Sequence, residues 1–173
     1  ALQEDISGAQ HDVMLTYSTS RGIWYQVSWK GQQEKSGGVA TNIGIHFFDL
    51  LLWLFGPAGD VKLYHADDKR MSGYIELENA RVRWFLSVDV NDLPESAVSD
   101  GKPTYRSITV DGEEIEFSGG FSDFHTRVYE ETLAGRGFGI QDARPSIELT
   151  HRIRTSPISA LDSLAHPKLL SKK

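Results

Sequence analysis

Val13, Leu15 and Tyr17 alternate with smaller or polar residues from Asp12 to Thr19, the pattern of a strand with one buried face. Arg21-Gly22 interrupts the run, and Ile23 to Trp29 is a second aromatic, β-prone stretch. Lys30 to Gly38 is polar and glycine-rich and reads as a loop. Val39 to Phe55 reads as a buried helix closed by Gly56-Pro57, since glycine just past a helix followed by proline is a stop signal.

Short strands follow. Val61 to His65 is one, and Gly73–Glu78 and Arg81–Val90 pair around Asn79-Ala80. In the last, Val82, Trp84, Leu86, Val88 and Val90 share a face while Arg81, Arg83 and Asp89 lie opposite, as in a half-solvated antiparallel strand. Asp92 to Pro103 is a polar excursion. Asp111-Gly112 predicts a hairpin turn between Tyr105–Val110 and Glu114–Phe117. Helices are expected over Asp123–Ala134, ended by Gly135, and over Ala143–Arg154, capped by Asp142.

Strands clustered between helices, without regular βαβ alternation, predict an α+β fold. Its sheet should be open and largely antiparallel, with helices packed on one face and the other face solvated or available for subunit contact. Residues 1–157 would form one domain, and 158–173, of weak periodicity, a mobile tail ending in Ser171-Lys172-Lys173.

Composition narrows the class. The 173 residues include no cysteine, which excludes a disulfide scaffold and thiolate metal sites. Lys and Arg number 18 against 24 Asp and Glu, and a net charge of −6 argues against nucleic acid as a partner. The most apolar stretch, the 17 residues from Val39 to Phe55, contains Asn42, His46 and Asp49, whereas a bilayer span needs about 20 apolar residues. No membrane partner and a cytoplasmic location are therefore expected. The acidic start at Ala1, without an initiator Met, suggests a processed chain or an excised piece of a longer protein.

Asn42, His46 and Asp49 fall in one stripe of the predicted helix at about 100° per residue. On a buried helix such side chains need partners, because an unsatisfied buried polar group costs about 1–3 kcal/mol. His46 suits a general base, with Asp49 one turn on to orient its ring. A bracing role inside the core stays open beside that reading. As metal ligands the two are weak, and no metal site is expected. Arg21, Tyr25, Lys30 and Lys35, set among Trp24 and Trp29, suit an anionic ligand with ring faces; a solvated hairpin edge is the plain alternative. Gly135-Arg136-Gly137-Phe138-Gly139 has the wrong spacing for a dinucleotide loop and follows a helix, so helix termination accounts for it. His125 reads as structural.

The run from Ser36 to Asp49, with Trp53-Leu54-Phe55-Gly56, resembles the active-site helix of the glucose–fructose oxidoreductase, inositol dehydrogenase and MocA family. Thr16 to Gly22, Trp24-Tyr25, Val27 to Gly31 and Gly137 to Ser146 are similar to one subgroup, the NAD-dependent dehydrogenases of UDP-N-acetyl-glucosaminuronic acid. These oxidise the sugar C3 hydroxyl during synthesis of bacterial surface polysaccharide (O-antigen). The resemblance covers roughly residues 10 to 154 and only the family's C-terminal half, so it implies a preceding Rossmann half that binds NAD. It further implies that this piece binds no NAD and is inactive alone; whether the chain by itself is an enzyme stays open. His46 would accept or relay the proton, and Asn42, where many members carry Asp, would position the sugar hydroxyl. Asp49 would brace the helix or the histidine, and Arg21, Tyr25, Lys30 and Lys35 would face the UDP-sugar uronate. Family members pack sheet against sheet into homo-oligomers, dimers or tetramers, which would suit the aromatic alternation at Trp84. The alternative is a stand-alone sugar-binding or oligomerisation module without catalysis.

Overall fold

A computed structural model describes residues 9–117 and 124–170, without the side chains of Gln26, Phe124 and His125. Strands β1 (His11–Thr19), β2 (Ala58–Ala66), β3 (Arg70–Leu77), β4 (Ala80–Ser87), β5 (Thr104–Val110) and β6 (Glu113–Glu116) form one sheet in the order β2-β3-β4-β1-β5-β6. The central β1–β4 pair is parallel and the other four pairs are antiparallel, so the fold is α+β on an open mixed sheet. The β3–β4 and β5–β6 hairpins form where the period-two runs and turn residues predict them. Asp111 and Gly112 both take positive φ, 50° and 91°, as a two-residue hairpin turn requires.

The helices are α1 (Gly22–Val27), α2 (Gln33–Ser36), α3 (Ile45–Phe55), α4 (Glu95–Ser99), α5 (Phe124–Leu133), α6 (Ile140–Thr155) and α7 (Pro167–Leu170). Helix α3 covers one face of the sheet, and α6 packs beside it. Phe47, Phe48, Leu51 and Phe55 of α3 and Leu149 and Ile153 of α6 join Val13, Leu15, Tyr17, Val82, Trp84 and Leu86 in one apolar core. By length and composition alone, Gln33 to Phe55 would meet the requirement of a membrane span. The positive φ of Gly37 and Gly38 breaks that run, and its apolar face is turned into the core.

Several expectations need correction. Ile23 to Trp29 is not a strand but α1 followed by a 3₁₀ turn at Trp29–Gly31, and the supposed loop to Gly38 contains α2. Aromatic, β-branched residues enter a short helix here because β1 already has neighbours on both edges, β4 and β5. Trp84 is fully buried against Phe48, ring centroids 5.4 Å apart, so its alternation belongs to the intrachain core and not to a subunit face. Helix α6 begins three residues before the expected start; Asp142 lies in its first turn, and its carboxylate accepts from the Gly139 N–H at 2.7 Å. Asp89 is buried instead of solvated, because Arg70 and Lys69 reach it. Beyond β4, Val90–Asp92 is a 3₁₀ turn in which Asp92 is buried with Arg70 and Ser87.

The chain after Pro157 also departs from the expected mobile tail, although Ser171–Lys173 lie outside the described residues. Residues 158–170 form a strap over the second sheet face. Ile158 bridges to Leu63, Ser159 N–H donates to Leu63 C=O at 2.7 Å, and Asp162 accepts from Lys62 and Tyr64. Those two hydrogen bonds hold the Asp162 carboxyl down at about 2. His166 is a buried anchor of the strap, stacked on Phe85 at 5.6 Å. Its Nδ1 accepts the Lys168 N–H at 3.1 Å, so Nε2 carries the proton and donates to Thr16 Oγ1 at 3.1 Å. The neutral ring is required by this arrangement, and burial, with Lys168 and Arg83 nearby, drives its pKa down to about 3.

Two outcomes follow from this packing. Unfolded chain protonates His166 near pH 6.5 while the folded chain resists until about pH 3. The contribution is thus complete above pH 6.5 and declines as pH falls, by up to about 1.4 kcal/mol per unit. Urea unfolding across that range should show the slope in the native chain and a flatter one in His166→Gln, whose amide can serve both neighbours. Separately, a Cβ at Gly44 would lie 2.8 Å from the Phe48 ring and 3.0 Å from a Leu86 methyl. Gly44→Ala should therefore destabilise by roughly 1–3 kcal/mol in the same assay.

Candidate functional site

The polar stripe lies where the core helix begins irregularly. Ala40–Gly44 form a π turn before α3, a local irregularity common at functional sites. Gly37 and Gly38 precede it with φ of 81° and 69°, which lets the chain reverse out of α2 and into the helix. A Cβ at Gly37 would also collide with the Thr41 side chain.

Asn42 sits inside the π turn and ties this reversal together. Its Nδ2 is 2.9 Å from Ser36 Oγ, 3.0 Å from Gly38 C=O and 3.1 Å from Lys30 C=O. All three groups accept, so an amide serves here where a carboxylate could not donate. Ser36 Oγ in turn donates toward Lys30 C=O at 2.7 Å and accepts from Gly38 N–H at 3.1 Å. Ser36 was not among the residues singled out from sequence as a site candidate; its place directly before the double glycine was the available signal.

His46 and Asp49 follow on the same side of the helix, but both are exposed. The expectation that the stripe is buried is corrected for these two: α3 is buried only along Phe47, Phe48, Leu51 and Phe55, and His46 and Asp49 lie on its solvent-facing side, while Asn42 in the π turn is half-buried. Trp53, 64% exposed, continues that side. Among the described residues neither the His46 nor the Asp49 side chain makes a hydrogen bond or ion pair, so Asp49 is not placed to orient the ring. His46 is thus available to whatever docks on this face.

Helix α1 brings Tyr25 beside Asn42, and Arg21 caps the start of that helix. The Arg21 guanidinium carbon lies 6.0 Å from the centre of the Tyr25 ring, a cation–π arrangement. Burial pushes the Tyr25 phenol up, while Arg21 and the Asn42 amide pull the other way without cancelling it. Lys30 contributes its backbone carbonyl to Asn42, and its ammonium lies 5.9 Å from the Trp29 ring centre. Lys35 stands exposed on α2 without a partner among the described residues. The structure thus joins Arg21, Tyr25, Asn42 and the Lys30 backbone, and leaves Lys35 outside that set.

The surface of α1 next to this set is apolar: Ile23, Trp24 and Val27, with Trp29 beyond, are all more than half exposed. Exposed apolar groups of this kind mark contact surfaces. Gly135 to Gly139 joins α5 to α6, with Gly135 at φ 75° ending α5. No strand leads into it, so these residues do not fit the phosphates of a dinucleotide. Among the described residues no three His, Asp or Glu side chains gather as a metal ion would require. The side chain of His125 lies outside the described set.

Residues 10–93 match the model of an oxidoreductase family, C-terminal alpha/beta domain. Two solved structures of the WlbA (WbpB) dehydrogenase from Thermus thermophilus are similar over nearly the whole chain. One, in complex with NAD and alpha-ketoglutarate, is 54% identical over 96% of this chain, with a TM-score of 0.90. The other, in complex with NAD and UDP-GlcNAcA, is 52% identical over 95%, with a TM-score of 0.88. The chain spans 55% and 54% of their lengths, about half of each. The WlbA dehydrogenase from Bordetella pertussis shares the fold, at 18% identity over 86% of this chain and 55% of its own, with a TM-score of 0.61.

Asn42→Asp tests the bracing geometry. Replacing the donor amide by a carboxylate sets negative charge against three acceptors. Hydrogen exchange should quicken at the Gly37 and Gly38 amides, with a stability loss of about 1–3 kcal/mol. Unchanged exchange there would show that Asn42 does not hold the turn.

Proposed function

Because the chain belongs to this oxidoreductase family and carries its C-terminal alpha/beta domain, we propose that it is the substrate-binding half of an NAD-dependent sugar-nucleotide dehydrogenase. The substrate in this reading is UDP-N-acetyl-glucosaminuronic acid, oxidised at the C3 hydroxyl in the synthesis of bacterial surface polysaccharide such as O-antigen. The observation that carries the reading is the free His46 face, one turn from the braced Asn42, in a chain half identical to a dehydrogenase solved with UDP-GlcNAcA.

Oxidising a secondary alcohol to a ketone removes a hydride from carbon and a proton from oxygen. NAD supplies the hydride acceptor, held by the part of the whole enzyme that lies outside this chain. This chain's part is the proton and the sugar. His46 takes the hydroxyl proton, and its exposure gives it a route to pass the proton on. Asn42 keeps its amide on the 30–38 turn and offers its carbonyl oxygen to the sugar. Arg21 and Tyr25 face the substrate from α1. Lys30 and Lys35 lend positive charge at the rim, and Asp49 sets the electrostatics of the stripe. By itself the chain binds no NAD and transfers no hydride.

The whole protein acts in the cytoplasm as a homo-oligomer, dimer or tetramer, with neither nucleic acid nor membrane as partner. Subunits meet on the part of the second sheet face that the strap leaves bare, around Asp12, Arg81 and Arg83. The apolar surface of α1 meets the NAD-binding half.

In the whole enzyme, His46→Ala should lower kcat by roughly 10²–10⁴ with little change in stability, since the ring is exposed. Steady-state NADH formation from NAD and the UDP-uronate, beside a thermal melt, measures both. Unchanged kcat would remove His46 from the chemistry. NADH formation by the isolated chain would contradict its inactivity alone.

A further inference from the structure

Ser36 ends α2 at the foot of the double glycine, half-buried beside Asn42. Its hydroxyl has one hydrogen and two lone pairs, and the fold uses all three. The hydrogen goes to Lys30 C=O at 2.7 Å, since Gln32 C=O, 3.1 Å away, already accepts the Lys35 and Ser36 N–H groups. One lone pair takes the Gly38 N–H at 3.1 Å and the other the Asn42 amide at 2.9 Å. Rotating this hydroxyl would break its bond to Lys30, so toward Asn42 it is a fixed acceptor.

That direction decides how Asn42 is presented. The two ends of an amide are nearly equal in size, one donating and the other accepting. Gly38 and Lys30 face Asn42 with carbonyl oxygens, which only accept. A hydroxyl free to turn would tolerate either end of the amide, whereas the locked Ser36 admits only Nδ2. The planar amide then directs Oδ1 away from all three acceptors. In the proposed substrate the neighbours of C3 are a C2 acetamido N–H and a C4 hydroxyl. Both can donate, so an acceptor suits the ring beside the reacting carbon.

We infer that Ser36 is a positioning residue for the C3 oxidation, locking the Asn42 amide so that the sugar meets its carbonyl oxygen and not its N–H end. The inference rests on the dehydrogenase reading above and adds a residue that acts only through Asn42.

NADH formation by the whole enzyme from NAD and UDP-GlcNAcA tests it, for wild type, Ser36→Ala, Ser36→Thr, Asn42→Ala and the double alanine variant. Ser36→Ala should lower kcat roughly 5- to 30-fold and move KM by less than about 3-fold, because what is lost is orientation. Ser36→Thr keeps the hydroxyl and should stay within about 3-fold of wild type. In the Asn42→Ala background, Ser36→Ala should cost no more than about 2-fold further, since the group it positions is gone. Losses that multiply in the double variant, an unchanged kcat in Ser36→Ala, or a Ser36→Thr enzyme no more active than Ser36→Ala would overturn the positioning role while the dehydrogenase reading stands. Wild-type enzyme that forms no NADH would overturn that reading and the positioning role with it.

Discussion

The architecture depends on how closely α3 can approach the sheet. Gly44 sits at the junction, with no room for a side chain between the helix backbone and Phe48 and Leu86. On the sheet, Gly73 lies under the indole of Trp84, where an added Cβ would come within 2.6 Å of the ring. Gly73 thus makes room for the Trp84 indole on the sheet and Gly44 for Phe48 on the helix, and the two rings meet edge to face. Interiors packed at crystal density transmit such a constraint, so the depth of α3 and its rotation are set together.

That rotation decides which residues become chemistry. With Phe47, Phe48, Leu51 and Phe55 turned inward, His46 and Asp49 are turned outward and Asn42, one turn earlier, is half-buried. The π turn at Ala40–Gly44 lets Asn42 reach back to Ser36, Gly38 and Lys30 while the helix stays seated. Asn42 is fixed by three acceptors and His46 by none, a division between a held group and a free one. On the opposite sheet face His166 of the strap covers Phe85 and Thr16, so the two sides of the sheet serve different ends.

Local periodicity made the sheet legible. Val82, Trp84 and Leu86 alternate, Asp111-Gly112 can adopt the positive φ its turn needs, and Gly56-Pro57 closes α3. The Asn42–His46–Asp49 stripe was legible too, as was the family to which its glycines belong. Its exposure was not, because which side of an apolar helix faces the sheet depends on Gly44 and Trp84, forty residues apart. Ile23 to Trp29 misled for a related reason: β propensity has no expression where β1 is already paired on both edges. The strap was invisible because its anchors, Thr16, Lys62, Tyr64 and Phe85, lie about 80 to 150 residues upstream. Asp89 looked solvated until Arg70, on the neighbouring strand, met it.

The central claim is that the ligand rests on the outward stripe of α3 and on α1, and not on the far face of the sheet. Hydrogen–deuterium exchange on the whole enzyme, with and without UDP-GlcNAcA, measures this directly at peptide resolution. The account predicts protection concentrated in residues 21–46, with the strap at 158–170 unaffected. Protection confined to the strap and the strands around Arg81 and Arg83, with residues 21–46 unchanged, would contradict it.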